Sequence, residues 1–415
     1  MSASKSDAVI IIGGGAFGLS TALHLTQAGY SAITILERDT QIPARFSAAN
    51  DLNKIVRAEY EDPFYTDLTI VGFLHCVSGN APDKAVQTLE RFRASAESSK
   101  TLKPQVVTIK NGHDIRSEVP HLKSSPVPDW KGYLNKYDGY AHSANALASV
   151  YRELKARGVK FLLGQDGEVA EIIYNQKVAK GVKTVSGKQF SAHLVIVAAG
   201  AGVSHILPDI GTQVVAKSWS IAHVQLTDSE AAALRNLPVT YARDLGFMFE
   251  PDPQMNLLKL CPMGGGYINT NPSTGVSQPP GSLRDSAFMP PGDEQKVRQL
   301  LTQTLPELAD RPLVRKQLCW FADTADSDFI VDYVPGTNAS VVVLSGDSGH
   351  GFKMFPIVGE WVKDLLAAKH KRQDVERWRW KQPRAAAGGA GTDDVSWRVG
   401  DVKEFAEIAQ SNSKL

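Results

Sequence analysis

The stretch AVIIIGGGAFGLSTALHLTQAGY, residues 8–30, decides the fold of this chain. Its continuous apolar run with valine and isoleucine is typical of a buried parallel strand. A glycine-rich turn follows, and the apolar residues after it recur at helical spacing until Gly29, which predicts the end of a helix. The next apolar run, SAITILER at 31–38, predicts a second strand. The stretch therefore predicts a β-α-β unit with a dinucleotide-binding turn.

The glycines of this turn have GxGxxG spacing at Gly13, Gly15 and Gly18. The first permits the tight turn, the second lets the backbone approach a pyrophosphate, and the third lets helix and strand pack closely. Glu37 ends the second strand, where a carboxylate accepts hydrogen bonds from a ribose diol. The alternative is a glycine turn in an unrelated α/β unit. The residues that we predict to bind the dinucleotide here are Gly13, Gly15, Ala16, Phe17, Gly18, Glu37 and Arg38.

The composition narrows the class of protein. The chain has 415 residues with 43% hydrophobic residues, 21% charged residues and a net charge of +1. A nearly neutral chain gives no electrostatic reason to expect nucleic acid or an anionic membrane as a partner, and no apolar run is long enough to span a bilayer. Cys76, Cys261 and Cys319 are far apart, which argues against a disulfide framework and, with no zinc-type spacing, against a metal site.

The chain ends in Ser413, Lys414 and Leu415. A C-terminal Ser-Lys-Leu is an address that a peroxisomal import receptor reads, so we predict a peroxisomal location and that receptor as a partner. Before it, RAAAGGAGTDD at 384–394 has the composition of a flexible linker, and VKEFAEIAQ at 402–410 predicts a short helix.

Further along the chain, elements of the dinucleotide domain return. Residues 167–188 predict a β-meander, and QFSAHLVIVAAGAG at 189–202 predicts another buried strand. Residues 340–367 predict a strand, a glycine-rich turn and a helix. The dinucleotide domain is therefore interrupted, and residues 79–141 and 211–318 remain to form a second domain. Alternating stretches in the latter, such as WSIAHVQL, favour an antiparallel sheet.

Several motifs occur in an order that resembles a known family. They are SAANDLNKIVRAEYEDPFY (47–65), LLKLCP (257–262), CWFADTADSDFIVD (319–332) and GDSGHGFKMFP (346–356). Together with the N-terminal turn they resemble the monomeric sarcosine oxidase group of flavoenzymes, especially its fungal fructosyl amino acid oxidase (amadoriase) branch, up to about Lys381. The resemblance implies FAD as cofactor, oxidation of secondary amines of amino acids, oxygen as acceptor, release of hydrogen peroxide, and a monomer.

The resemblance also completes the expected fold class. This is α/β, with an interrupted FAD-binding Rossmann-type domain like that of glutathione reductase, plus an α+β substrate domain with an antiparallel sheet. The expected segments are 1–78, 142–210 and 319–380 for the FAD-binding domain, 79–141 and 211–318 for the substrate domain, and 381–415 for a C-terminal tail with the peroxisomal signal.

Cys319, beside Trp320, falls where this family carries FAD. The resemblance implies a thioether from its sulfur to the 8α-methyl carbon of the flavin ring, which fixes the ring and raises its potential. Two alternatives remain open from the residue type alone, since a lone cysteine is often a small core residue or an oxidation-prone thiol.

The GDSGHGFK turn is expected to face the flavin. Its glycines allow a close backbone approach, and the following helix N-terminus would stabilise negative charge on the reduced ring. The resemblance implies that Lys353 contacts the substrate carboxylate and that Arg57 completes the clamp, because a guanidinium binds a carboxylate in bidentate fashion. The alternatives are a surface lysine and a solvated arginine. The expected cofactor-binding residues of the turn are Gly346, Gly349, His350, Gly351, Phe352 and Lys353.

Lys259 in LLKLCP matches the family lysine above the flavin that activates oxygen. A cation there stabilises the charge that develops as oxygen accepts an electron. The alternative is that Lys259 points to solvent, since side chains alternate along a strand. The remaining residues for which the resemblance implies cofactor contacts are Ser47, Asn53, Lys54, Val169 and Gly200.

Two departures from the fructosyl oxidase pattern bear on the substrate. Those enzymes carry an acidic residue shortly after the lysine, but here the residues are Cys261, Pro262 and Met263. A helix of the family is also missing near residues 66–76. Because Arg57 is present and that acid is absent, we expect an oxidase of a secondary-amine amino acid such as sarcosine, pipecolate, saccharopine or an N-methylated metabolite, which would fit the arginine–lysine clamp. A fructosyl amino acid oxidase and a non-catalytic flavin-binding relic are the alternatives.

Overall fold

A computed structural model of the chain describes residues 4–56, 73–368, 372–381 and 399–412. The expected roles of Arg57 and of the Ser-Lys-Leu terminus lie outside the described residues. The strands in the described part are β1 (Val9–Ile12), β2 (Ile33–Glu37), β3 (Lys54–Val56), β4 (Phe73–Val77), β5 (Val106–Ile109), β6 (Lys131–Asn135), β7 (Gly139–Ala141), β8 (Lys160–Leu163), β9 (Val169–Asn175), β10 (Val178–Thr184), β11 (Gln189–Ser191), β12 (Leu194–Val197), β13 (Val215–Gln225), β14 (Val239–Ala242), β15 (Gly246–Met248), β16 (Leu257–Pro262), β17 (Tyr267–Ile268), β18 (Leu313–Asp323), β19 (Ile330–Tyr333), β20 (Val341–Ser345) and β21 (Lys403–Glu404). The α-helices there are α1 (Ala16–Gln27), α2 (Asp83–Ser98), α3 (Gly112–Glu118), α4 (Ser143–Ala156), α5 (Val203–Ile206), α6 (Asp228–Ala233), α7 (Pro291–Thr304), α8 (Val358–Ala367) and α9 (Phe405–Asn412).

The first sheet is the dinucleotide-binding one. Among the described residues its strand order is β19-β20-β12-β1-β2-β8, and all neighbours are parallel except β19 and β20. β1 lies between β12 and β2 and is buried along its whole length, as the continuous apolar run predicts. Leu19, Leu25 and Val358 of the flanking helices share one core with Ile11. The interrupted α/β domain and the separate β9–β11 meander are confirmed.

The turn between β1 and α1 has the geometry that its glycines predict. A Cβ on Gly18 would lie 1.8 Å from the Gly13 carbonyl oxygen, so only glycine lets α1 pack this closely on β1. Gly13 has φ +112°, a backbone conformation that other residues rarely adopt. α1 ends at Gln27, and Gly29 follows at φ +92°, which confirms the predicted helix end.

The second sheet is larger than the first. Within the described ranges its order is β21-β17-β13-β16-β15-β14-β4-β6-β5, with β18 on the other edge of β13. Most pairs are antiparallel as predicted, but β4 with β14 and β17 with β21 are parallel, so the sheet is mixed. All six residues of β16 are buried. Leu258 and Leu260 pack against α7, which leaves Lys259 and Cys261 to the opposite face.

Sheet membership differs from the expected domain boundaries at two strands. β4 lies in the segment expected to belong to the FAD-binding domain, yet it pairs with β14 and β6 in the second sheet. β18 runs past residue 319 to Asp323 while paired with β13 along its length. The reason is that a strand belongs to the sheet that satisfies its backbone hydrogen bonds, and a sequence does not show those partners. Cys319 therefore lies on the second sheet.

The described part of the C-terminal tail is packed on the body rather than detached. The Lys403 backbone N–H donates to the Gly266 carbonyl at 3.1 Å, and the Glu404 carboxylate accepts from the Thr270 hydroxyl at 2.6 Å. In α9, the Phe405 ring lies 6.1 Å from that of Trp320. The predicted helix at 402–410 is thus confirmed as α9, and its apolar residues bury against the second sheet.

Candidate active site

A single cavity of about 870 Å³ is lined by residues of both sheets, which is within the size range of cofactor and substrate pockets. Gly18 and Gly346 lie behind the cavity wall, where each allows close packing of backbone against backbone. The predicted site residues that line the cavity are Gly13, Gly15, Ala16, Phe17, Glu37, Arg38, Ser47, Asn53, Lys54, Val169, Gly200, Lys259, Cys319, Gly349, His350, Gly351, Phe352 and Lys353.

At one end of the cavity, the β1–α1 turn and the end of β2 form a phosphate and ribose site. The Glu37 carboxylate accepts the Gly14 backbone N–H at 2.8 Å and the Asp39 N–H at 2.9 Å, which fixes its position. Burial raises the pKa of Glu37. In the described chain, Gly15 caps α1 without a side-chain hydrogen bond, so the first N–H groups of the helix remain available to an anion.

One hydrogen-bond acceptor in the described cavity lining has no donor. The buried Oδ1 of Asn53 has no hydrogen-bond partner among the residues that the structure describes. A buried acceptor without a partner is costly, and Asn53 lines the cavity, so a ligand N–H would satisfy it. A free helix N-terminus, a fixed carboxylate and this amide oxygen along one cavity match the phosphates, ribose and ring N–H of a flavin dinucleotide. The described residues therefore fit FAD.

Two lysines share one carboxylate beside this acceptor. The Lys259 ammonium forms an ion pair with Asp51 and donates to the Asn53 carbonyl at 2.7 Å, while the Lys54 ammonium lies 2.8 Å from the same Asp51 oxygen. Burial by itself would raise the pKa of Asp51, but the two ammonium groups outweigh it and hold that pKa well below its usual range. Lys259 is only 1% exposed, so the solvent-facing alternative is wrong.

The GDSGHGFK turn lines the cavity beside the dinucleotide turn, since a Cβ on Gly351 would lie 2.9 Å from the Phe17 ring. Lys353 is 5% exposed, so it is not a surface lysine, and it lies in a short 3₁₀ helix, Phe352–Met354. His350 Nε2 lies 2.8 Å from the Ser327 carbonyl oxygen, which fixes the ring. The cavity is lined by Gly349–Lys353 and not by the start of α8. This corrects the expectation that the N-terminus of the long helix faces the flavin, because the 3₁₀ turn intervenes.

Asp347 links this turn to the strand that carries Cys319. Its carboxylate accepts the Ala322 backbone N–H at 3.0 Å and the Gly349 N–H at 3.1 Å. Burial raises the pKa of Asp347 to about 6, with the charge of Asp323 adding to the effect against the two N–H groups. Asp347 lines the cavity. Its carboxylate binds a proton more tightly than an ordinary aspartate does.

This raised pKa predicts a change of stability with pH. The ordinary value in an unfolded chain is roughly 4, so the folded state binds the proton more tightly and gains stability below that pH. The gain is lost as the pH rises through about 6. For Asp347→Asn, which cannot ionise, we expect the melting temperature relative to the wild type to rise between pH 4.5 and about 6 and to level off above that pH. Thermal unfolding followed by tryptophan fluorescence measures it, and a pH-independent difference would contradict the assignment.

The three cysteines have different surroundings. Cys76 and Cys261 are buried, whereas Cys319 is partly exposed on the cavity wall and its Sγ lies 3.7 Å from the Ala48 carbonyl oxygen. Burial raises the pKa of the Cys319 thiol, and the nearby Lys54 ammonium partly offsets the effect. The structure thus places Cys319 at the cavity, as predicted, and not in the described hydrophobic core.

Aromatic rings line the cavity on the substrate side. Phe247 stands edge-on to both Tyr241 and Phe249, with centroids 5.4 and 5.7 Å apart, and the Lys259 ammonium lies 5.0 Å from the Phe249 centroid. Sequence reasoning missed these rings, because apolar strand residues do not reveal which face meets a cavity. It also missed Asp51 and Asp347, although each stands inside a motif with a predicted site lysine.

Two features are absent from the described residues. No group of three or more histidine, cysteine, aspartate or glutamate side chains among them is arranged to hold a metal ion. No helix of the described part combines the length and apolar character needed to cross a membrane.

Comparison with known proteins agrees with this geometry. The model of the FAD-dependent oxidoreductase (DAO) family matches residues 8–365. L-saccharopine oxidase of Schizosaccharomyces pombe is 30% identical, covering 95% of this chain and 96% of that protein. Human peroxisomal sarcosine oxidase is 24% identical, with 89% and 94% covered. The structure of fructosamine oxidase (Amadoriase II) from Aspergillus fumigatus superimposes with a TM-score of 0.87 at 30% identity, covering 98% of this chain and 97% of that one. The chain therefore belongs to the family of FAD-dependent oxidoreductases that contains the sarcosine oxidases and the amadoriases.

Proposed function

We propose that the protein oxidises a secondary amine of an amino acid, with FAD as cofactor and oxygen as acceptor, and releases hydrogen peroxide. One observation carries the proposal. Lys54, Lys259 and Lys353 line the same cavity as the dinucleotide-binding turn, and Asp51 neutralises only one of the two ammonium groups that it contacts. Asp51 supplies one negative charge for two ammonium groups, and the carboxylate of an amino acid would add a second.

The chain's own residues divide the work around the flavin, which accepts a hydride when it is bound. Lys353 holds the substrate carboxylate from the turn side. Lys259, anchored by Asp51, presents its charge where oxygen is reduced. The rings of Tyr241, Phe247 and Phe249 exclude water from this end of the cavity and so strengthen these electrostatic interactions. Oxidation of the carbon beside nitrogen gives an imine, which water hydrolyses after release.

A covalent link through Cys319 is part of the proposal. The thiol lies on the cavity wall on a strand that Asp347 ties to the flavin-facing turn, so it is held where a ring methyl carbon could be reached. Its partial exposure sets it apart from Cys76, which does not line the cavity, and from Cys261, which lines the cavity but is more deeply buried.

Among secondary amines, we propose a substrate of the saccharopine type. The lysine-rich end of the cavity suits an amine that carries more than one carboxylate, since Lys54 and Lys353 are separate cationic groups. The similarity to L-saccharopine oxidase over nearly the whole chain supports the same choice. Sarcosine, pipecolate and N-methylated amino acids, each with a single carboxylate, are the smaller members of the same class.

A fructosyl amino acid is the second candidate, favoured by the likeness to Amadoriase II. Against it stands the wall after Lys259. Cys261, Pro262 and Met263 line the cavity without an acid that could hold a sugar amine. The non-catalytic alternative needs a damaged site, whereas Lys54 and Lys259 meet at Asp51 and line the same cavity as the GDSGHGFK turn.

The location and assembly belong to the proposal as well. We infer import into peroxisomes through Ser413, Lys414 and Leu415, which suits an oxidase that releases peroxide. We also infer a monomer, as for the monomeric sarcosine oxidase that this chain is similar to.

An amine panel tests the function. Purified flavoprotein is mixed with saccharopine, sarcosine, pipecolate, N-methyl amino acids and fructosyl-glycine, and peroxide release is followed together with oxygen uptake. We expect turnover of secondary amines, with saccharopine giving the highest kcat/KM. A preference for fructosyl-glycine over saccharopine would establish the deglycating alternative. Bleaching of the flavin by none of these amines under anaerobic conditions would exclude the proposed function.

A further inference from the structure

Asp51 lies between Lys54 and Lys259, and hydrogen bonds and ion pairs hold its side chain in place. One carboxylate oxygen accepts the Leu52 backbone N–H at 2.8 Å, and the other contacts both lysine ammonium groups. The backbone is held as well, since its carbonyl accepts the Ser143 hydroxyl at 2.8 Å. The Asp51 side chain is 3% exposed. The carboxylate is therefore held both by its own segment and by the two lysines.

The pair joins the two halves of the molecule. Asp51 precedes β3 in the N-terminal segment, whereas Lys259 lies in the middle of β16 in the second sheet. Lys259 is also restrained by the Asn53 carbonyl, so two oxygens of the N-terminal segment bind one ammonium. Lysine has several rotatable bonds and a compact charge, so without these partners the ammonium could reach other anions in the cavity.

The cross-strand neighbour of Lys259 on β13 does not compete with Asp51 for the Lys259 ammonium. His223 stands directly opposite Lys259 in the β13–β16 pairing. Burial lowers the pKa of His223 to about 4, with Lys259 and Arg315 adding to the effect against Asp51, so the ring is neutral at physiological pH. Within the described residues, Asp51 is the carboxylate in ion-pair contact with Lys259.

We propose that Asp51 is a positioning residue that reserves Lys259 for oxygen by holding its ammonium away from the substrate carboxylate, which is left to Lys353. This inference rests on the proposed function and adds a division of roles among the lysines of one cavity. Lys54, Lys259 and Lys353 all line the cavity, and a substrate carboxylate that bound Lys259 as well would leave no cation to stabilise the charge that develops on oxygen. An ion pair with Asp51 prevents this, because the substrate would have to displace a buried carboxylate.

The test is Asp51→Asn, which keeps the shape and removes the charge. We expect two opposite changes: the rate constant for reoxidation of the amine-reduced enzyme by oxygen falls about tenfold or more, while simple carboxylates bind about tenfold more tightly. Stopped-flow mixing with oxygen measures the first, and the change of the visible spectrum on titration with acetate measures the second without turnover. Asp51→Glu, which restores the charge, should recover most of both.

A matched control separates positioning from stability. Asp323 forms another fully buried ion pair in the same sheet, at 3.0 Å from the Lys217 ammonium, and neither residue lines the cavity. Asp323→Asn should lower the melting temperature without the paired changes. If oxygen reactivity of Asp51→Asn stays within twofold of the wild type, or if acetate binds no more tightly, the inference is overturned. Should Asp51→Asn not fold, a loss of oxygen reactivity in Asp51→Glu as large as tenfold would overturn it as well.

Anaerobic reduction by the amine keeps the two proposals distinguishable. If Asp51→Asn is still reduced by the amine, the proposed function stands whatever happens to the oxygen step. If neither the wild type nor the variant is reduced by any amine of the panel, the proposed function is wrong. The titration with acetate is then the remaining test of the role of Asp51.

Discussion

Replacement of Lys259 by methionine is expected to slow reoxidation of the reduced enzyme by oxygen by about 100- to 1,000-fold, the usual effect of removing one preorganised group that stabilises developing charge. Lys259 is buried, fixed by Asp51 and the Asn53 carbonyl, and lies on the cavity wall. Methionine keeps the length and apolar body of the side chain but has no charge. Stopped-flow mixing of the amine-reduced variant with oxygen measures the rate constant directly.

Reduction by the amine should change far less, because Lys353 and not Lys259 is proposed to hold the substrate carboxylate. The matched control is Lys217→Met, which removes the ammonium of the buried Lys217–Asp323 pair outside the cavity. That variant should lose stability and keep its oxygen reactivity. An unchanged reoxidation rate in Lys259→Met, or an equal loss in Lys217→Met, would contradict the role assigned to Lys259.

The β-α-β unit could be predicted from sequence because each level of its structure depends on neighbouring residues. The apolar run of β1, the glycine spacing and the helical periodicity of α1 all lie within 8–30. Gly18 is an example of a successful prediction of this kind. Its interpretation as a packing glycine is confirmed, since the position that a Cβ would occupy is taken by the Gly13 carbonyl oxygen.

Long-range pairing could not be predicted in the same way. β4 and β18 were placed by sequence order, but their hydrogen-bond partners are β14 and β13, which lie far away along the chain. The sequence predicted a linker at 384–394 and a short helix at 402–410, but it did not show that α9 packs on the second sheet. Strand partners and docking surfaces are properties of the folded chain, and local patterns carry little information about them.

The candidate site also contains residues that the sequence revealed and residues that only the fold revealed. Motif positions identified Lys259, Lys353 and Cys319, and the structure brings all three to one cavity. Asp51 was missed because an acidic residue beside a lysine usually forms an exposed ion pair, and only the fold shows that a second lysine reaches it from β16. Asp347 was missed because its raised pKa arises from burial, which the sequence does not display.

For Cys319→Ser we expect a complete loss of flavin from the acid-precipitated protein, whereas the wild type gives a yellow pellet. A thioether survives acid denaturation, and a flavin held only by hydrogen bonds and packing does not. Serine preserves the size of the side chain and the contact with the Ala48 carbonyl, so the fold should be retained. Absorbance of the washed pellet dissolved in denaturant, together with the intact mass of the protein, measures the attachment.

The matched control is Cys261→Ser, because Cys261 also lines the cavity but is more deeply buried, on β16. That variant should keep its flavin through precipitation. If Cys319→Ser retains flavin while Cys261→Ser loses it, the attachment point is on β16, and the alignment of the CWFADTADSDF motif with the family is wrong at this residue. If the wild type itself releases all flavin in acid, Cys319 is a wall residue beside a dissociable cofactor, and the thiol is then an oxidation-prone group next to a source of peroxide.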